Sequence, residues 1–470
     1  MNDLPKFLPI DKHFETKAIH ASFNAADNPS LGVIPPIVLS TTFHQPDPME
    51  PPHFQYGRYG NPNREMLEIT LAALENAKYA NCFATGMGAI GMVTHLLEDG
   101  DNILCIDDVY GGTYKYFEQI ARKRGISITY ADLTEEDNIE ANMKPNTKLI
   151  WLETPTNPLM KILDIVGISK RAKKLNSNVL IVVDNSFLSS YFIRPLELGA
   201  DIVAASLTKY MNGHSDVFMG ITAHNSKDLN HTFNQLQGIC GCTPSPFDCY
   251  LLLRGLKTLS CRMKVHMSNA YKVARFLEKH SMVEKVLYPG LSTHKGFHIA
   301  QQQWHGVGGM LSFYIKGDVK ESIYFIQNLK LFSCGQSYGG YEGLVEIPMI
   351  MSHKPMPKEQ LLKHKITGNL IRLSVGLESV DDIIADIEAA FKAVCTRFCT
   401  RLKKKSRCYN QRSETGVRTL RTVPLDFRFD SNSDWLRVAY LPIIVALSHK
   451  EINSEKFGSQ LNVMKIIWMT

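Results

Sequence analysis

Short apolar runs recur through the middle of the chain, each closed by polar or turn-forming residues. NILCI (102–106), LIWL (149–152), LIVV (180–183) and IVAA (202–205) are unbroken rather than alternating. Unbroken apolarity predicts strands covered on both faces. Helical patterns at 113–123 and 165–174 fall between them, so the expected fold class is α/β, a mostly parallel sheet covered by helices. A second region opens with a helical stretch at 257–280 and predicts strands at 310–315 and 370–375. It closes with an amphipathic helix over 380–394, whose leading Ser379-Val-Asp-Asp suits a helix start. Together these predict a smaller α+β C-terminal domain.

Ahead of both lies a segment broken by prolines, with GVIPPIVLS as its main apolar stretch, which predicts an extended arm. The expected organisation is an N-terminal arm at 1–55, a large domain at 56–255, a small domain at 256–398 and an atypical tail at 399–470. The tail carries the run RLKKKSRCYNQR and is expected to be poorly ordered.

Charge is informative through its location. The net +6 resolves into 13 Lys+Arg against 6 Asp+Glu after residue 400, leaving 39 against 40 in the body. A balanced body argues against a nucleic-acid partner. Of ten cysteines, Cys240, Cys242 and Cys249 come closest to a cluster. No second ligand pair follows at zinc-site spacing, so no metal is expected and the thiols fit a reducing compartment. The start, MNDLPKFLPIDKHF, has no apolar core of a signal peptide, and the late apolar run at 441–447 is far shorter than a membrane span. No membrane partner and a cytoplasmic location are the expectations.

The chemistry is concentrated where the predicted strands end, the usual ligand side of an open α/β sheet. The strands run into Asp107-Asp108-Val109-Tyr110-Gly111-Gly112, into Glu153-Thr154-Pro155-Thr156-Asn157, into Asp184-Asn185 and into Ser206-Leu207-Thr208-Lys209. Tyr110, Asn157, Asp184 and Lys209 should share one rim. A partly desolvated Lys209 could form an imine, with Ser206 and Thr208 beside it to bond a phosphate. Asp184 could keep a pyridine nitrogen protonated. Gly86 and Met87, in ATGMGAIG, lie where helix N–H groups can face an anion. Tyr110 could stack on a flat heterocycle and carry a proton. Arg58, on the turn Tyr56-Gly-Arg-Tyr-Gly, could hold a phosphate. Arg372 interrupts an apolar strand and needs an anion, either a substrate carboxylate or an internal Asp or Glu.

Taken together, FQYGRYGNP, DDVYGGTYKYF, LETPTNP, VVDNSF, SLTKYMNGHSD, PSPFDCYLLLRGLKTL and IRLSVGLE resemble the γ-lyase and γ-synthase family of Cys/Met-metabolism pyridoxal-phosphate enzymes, over about residues 10 to 397. The resemblance implies a PLP-dependent transferase of fold type I, assembled as a homotetramer of close dimers. It implies pyridoxal 5'-phosphate bound covalently at Lys209 as a Schiff base, with Asp184 on the ring nitrogen and Tyr110 stacked on the ring. Gly86, Met87, Ser206 and Thr208 would hold the phosphate, helped by Tyr56 and Arg58 of the neighbouring subunit. Asn157, Ser337 and Arg372 would hold the carboxylate of a sulfur amino acid, with Arg58, Tyr110, Lys115 and Gln336 also around the substrate. The implied reaction is cleavage of the Cγ–S bond of cystathionine, with γ-synthase or methionine γ-lyase activity as the alternatives and a catalytically silent scaffold as a remote one. Typical cystathionine-cleaving animal members carry Glu, Arg and Glu where this chain has Gln55, Lys115 and Gln336. Those changes remove two carboxylates from the far end of the expected substrate pocket.

Overall fold

Seven strands form the larger sheet of a computed structural model, which describes residues 4–135 and 137–413: β1 (Tyr79–Phe83), β2 (Asn102–Ile106), β3 (Ser127–Ala131), β4 (Thr147–Glu153), β5 (Leu180–Asp184), β6 (Ile202–Ser206) and β7 (Gly220–His224). Their spatial order is β1-β7-β6-β5-β4-β2-β3. The five strands from β3 to β6 pair in parallel, and β7 runs antiparallel to both its neighbours. The four strands expected from unbroken apolar runs are thus adjacent, in the order β6-β5-β4-β2. Leu149, Ile150, Trp151 and Leu152 have no exposed surface. Each large aliphatic side chain buried in this way stabilises the fold by about 1.5–3 kcal/mol.

Three strands of this sheet escape the apolar pattern because polar residues interrupt them. On β1 and β7, Asn81 and His224 are buried but paired, with His224 Nε2 3.1 Å from Asn81 Oδ1. Asn81 Nδ2 in turn donates to Asn230 and Asn234 on the helix Lys227–Cys240. Buried polar groups persist in a sheet when they are hydrogen-bonded in this way.

A second sheet comprises β8 (Val283–Leu287), β9 (Met310–Ile315), β10 (Ser333–Cys334), β11 (Leu344–Glu346) and β12 (Leu370–Ser374), in the order β10-β11-β12-β9-β8. Its long helix is Leu259–Lys279, close to the expected stretch. Two helices differ from expectation. The single helix expected at 113–123 is a helical run from Gly111 to Arg124 that widens to a π turn at Phe117–Ala121 and tightens at Arg122–Arg124. The helix expected to end at 394 runs Val380–Ser413, so the basic run is helical backbone where a poorly ordered tail was expected. Expectations for 414–470 lie outside the described residues. Residues through Phe398 pack as one unit. Among the described residues, no helix is long and apolar enough to cross a membrane.

Candidate active site

Parallel strands present their carboxyl ends to one side, and there the residues after β2, β4, β5 and β6 meet. Tyr110, Asn157, Asp184, Ser206, Thr208 and Lys209 all line one cavity of about 320 Å3. Gly86, Met87, Gln336, Ser337 and Arg372, also among the expected residues, line it too.

The helix Gly86–Thr94 begins at one wall. Thr85 caps it, its hydroxyl accepting the Gly88 N–H at 2.9 Å. The first amides of a helix have no internal partner, so Gly86 and Met87 N–H are left for an anion. The cradle is tight. A Cβ on Gly86 would lie 2.9 Å from Ser206 Cβ and 3.1 Å from its hydroxyl. Thr208 is partly committed, since its hydroxyl accepts the Met219 N–H at 3.0 Å.

Lys209 Nζ donates to Ser337 Oγ at 2.7 Å and lies 4.7 Å from the centre of the Tyr338 ring. Burial, with the nearby Arg372 charge adding and Glu346 opposing, pushes its amine down to about 8. Asp184 is half-buried at the end of β5, and its Oδ1 accepts the Ser186 hydroxyl and N–H at 2.6 and 3.0 Å. Burial holds its carboxyl above the ordinary value, with the Ser186 bonds opposing. A ring cation beside it would favour the charged form. Burial also raises the Tyr110 phenol, which therefore keeps its proton near neutral pH.

Arg372, on β12, answers the question left open by its sequence. Its Nη1 lies 3.0 Å from Glu346 Oε1, and both residues are buried, so the internal ion pair exists. Nη1 also donates to Asn157 Oδ1 at 2.8 Å and Nη2 to Ser337 O at 3.0 Å. A guanidinium carries five N–H donors, so capacity for a substrate carboxylate remains. Ser337 sits at φ +125°, a backbone region that favours glycine.

Some expected residues are elsewhere. Tyr56 is 44% exposed, and Arg58 donates to Gly238 O at 2.9 Å; neither lines this cavity. Gln55 and Lys115 are exposed and also lie outside the lining. Sequence reasoning missed Glu153, Phe187, Tyr338 and Ser352, all of which do line it. Glu153 carried a signal, an acid closing an apolar strand one strand over from Asp184. Tyr338 and Ser352 lie outside regular strands and helices and carried none.

An amide cradle, an amine shifted down toward neutral pH, a ring-sized cavity and a carboxylate fit pyridoxal phosphate: Gly86, Met87 and Ser206 would hold its phosphate, Asp184 its ring nitrogen and Lys209 its aldehyde carbon. The neutral amine is the nucleophile, so attachment of cofactor to stripped enzyme is expected to accelerate with pH and level off above about 8. A stopped-flow absorbance series checks this. A rate still rising steeply at pH 10, as for an ordinary lysine near about 10.4, would contradict the shifted amine.

The wider comparisons agree with this chemistry. The chain is 49% identical to a protein named "Cystathionine gamma-lyase" from Bos taurus over 387 residues, covering 82% of this chain and 95% of the relative. Among solved structures it resembles a cystathionine gamma synthase from Xanthomonas oryzae pv. oryzae, with TM-score 0.79 and 38% identity over 81% of this chain and 98% of the other. It also resembles a cystathionine gamma-lyase from Lactobacillus plantarum, with TM-score 0.77 and 37% identity over 81% and 99%. Residues 15–392 match the family described as Cys/Met metabolism PLP-dependent enzyme, and the chain belongs to that family.

Proposed function

We propose that this enzyme cleaves the Cγ–S bond of L-cystathionine, consuming water and giving cysteine, 2-oxobutanoate and ammonia. The observation that carries the reading is Lys209, a desolvated amine held by Ser337 in the same cavity as Asp184 and Tyr110. Relatives bearing the γ-lyase name at almost half identity support the choice of substrate.

Bound pyridoxal phosphate supplies a conjugated cation able to take up the electron pair left at the substrate α-carbon. Lys209, displaced by the substrate amine, would take the α-proton at Nζ, since its neutral form is well populated near pH 8, and a second proton would then leave the β-carbon, whose electron pair breaks the Cγ–S bond. Asp184 would hold the proton on the ring nitrogen. Arg372, Asn157 and Ser337 would fix the substrate carboxylate, which sets the α-C–H bond against the ring. Tyr110 would lie on the ring face and, still protonated, pass its phenolic proton to the departing sulfur; Lys209 is the other group able to do so.

In this reading the large domain (56–255) carries the cofactor and the small domain (256–398) contributes Ser337 and Arg372. Tyr56 and Arg58 would act on the cavity of a neighbouring subunit, within a homotetramer of close dimers. Support comes from their absence from the lining of their own cavity and from Phe218, which borders it yet is 73% exposed. A cytoplasmic location goes with it, supported by the unpaired surface thiols Cys240, Cys261 and Cys334.

A second reading follows from Gln336. This neutral amide borders the cavity where cystathionine-cleaving relatives are expected to have a carboxylate for the distal amino group. Methionine, which lacks that group, would suit the pocket. Mass spectrometry of products from cystathionine and from methionine separates the two. Cysteine with 2-oxobutanoate from cystathionine, at a higher kcat/KM than methanethiol from methionine, is the expected result. The reverse order would replace the proposed substrate.

A further inference from the structure

Glu153 occupies the last position of β4 and pairs in register with Asp184 at the end of β5. It is buried, and its two oxygens serve two different loops. Oε2 accepts the backbone N–H of Tyr110 at 2.9 Å, and Oε1 accepts that of Asn157 at 2.8 Å. Asn157 in turn accepts from Arg372 Nη1 at 2.8 Å. One carboxyl group therefore joins the loop after β2, which carries the ring-facing phenol, to the loop after β4, which carries the carboxylate clamp.

The arrangement is costly. Burial and the neighbouring Asp184 charge hold Glu153 well above the ordinary carboxyl range. Two acids side by side in a dry site are unfavourable. An amide could fill the same space without that cost, but it offers only one acceptor oxygen, and its NH2 group would oppose the second backbone N–H. Two acceptors at this point require a carboxyl group.

We propose that Glu153 is a positioning residue for the reaction, fixing Tyr110 and the Asn157–Arg372 clamp in a single geometry through their backbone amides. The proposal rests on the site reading above. It assigns Glu153 no contact with substrate, so its loss should appear as misplacement of groups that do make contact. Misplacement by about 1 Å costs on the order of 100-fold in rate.

The test uses the holoenzyme. Glu153→Gln is expected to fold and bind cofactor, with a shifted or broadened visible cofactor band and a kcat/KM lower by about 10–100-fold. Combined with Asn157→Ala, the loss should be smaller than the product of the single losses, because one acts through the other. An unchanged band with wild-type kinetics, or strictly multiplicative losses, overturns the proposal. Glu153→Asp is the second variant should the amide fail to fold. It keeps both acceptors on a stem one methylene shorter, and is expected to keep the band while losing kcat/KM several-fold. Wild-type kinetics in Glu153→Asp overturns the proposal as well. Failure of the wild-type enzyme to cleave cystathionine would remove the substrate assignment alone. The band and the double-variant cycle can be read with whichever sulfur amino acid is turned over.

Discussion

Replacing Lys209 with alanine is expected to lower turnover by at least about 1,000-fold, within the range seen when a positioned acid–base group is removed. The visible band of covalently held cofactor should disappear with it. The fold should survive, because the amine's partners here are one hydroxyl, Ser337 Oγ, and one ring face, Tyr338. Each can be left to water or to the cavity at a cost of about 1 kcal/mol. Circular dichroism with a cystathionine assay checks both halves. A Lys209→Ala protein with a tenth of wild-type activity would remove the basis of the proposed mechanism.

Replacing Arg372 with leucine is expected to have the largest effect on stability. Glu346 would lose its 3.0 Å partner, and its Oε2 already lacks one. Breaking a buried ion pair from one side typically costs about 3–5 kcal/mol, because the remaining charge stays buried. At about 2.1 cal/mol/K per residue over some 400 residues, that lowers Tm by roughly 4–6 °C. The substrate carboxylate would lose its clamp as well, raising KM. The two roles can be separated. Arg372→Leu with Glu346→Leu removes both charges and should recover most of the lost Tm without recovering kcat/KM. Thermal melts and kinetics of the single and double variants check this. A double variant that regained activity would leave Arg372 with the structural role only.

The readability of this chain followed the physics of burial. Strands β2, β4, β5 and β6 are apolar on both faces and so were legible as unbroken runs. A parallel sheet places their carboxyl ends together, which is why Tyr110, Asn157, Asp184 and Lys209 could be assigned to one rim from sequence. Strands β1, β3 and β7 were not legible, because Asn81, Thr129 and His224 break the pattern while being hydrogen-bonded locally. Ser337 and Arg372 were reached through resemblance and strand interruption. Tyr338 was not, since no periodicity marks a loop that wraps back on the sheet. Glu346 sits on a three-residue strand, too short for a repeating pattern. Glu153 was visible as a letter but not as a function, because its role depends on two backbone amides that no pattern of side chains encodes.

Ser337 shows where stability and activity part company. A glycine there would relax the φ +125° backbone, and strained backbone of this kind costs about 1–3 kcal/mol. Glycine, however, has no hydroxyl to receive Lys209. A library selected only for heat resistance would be drawn toward that substitution and would collect sturdier proteins with an untethered lysine. Thermostabilising this enzyme therefore calls for leaving this uncomfortable residue alone.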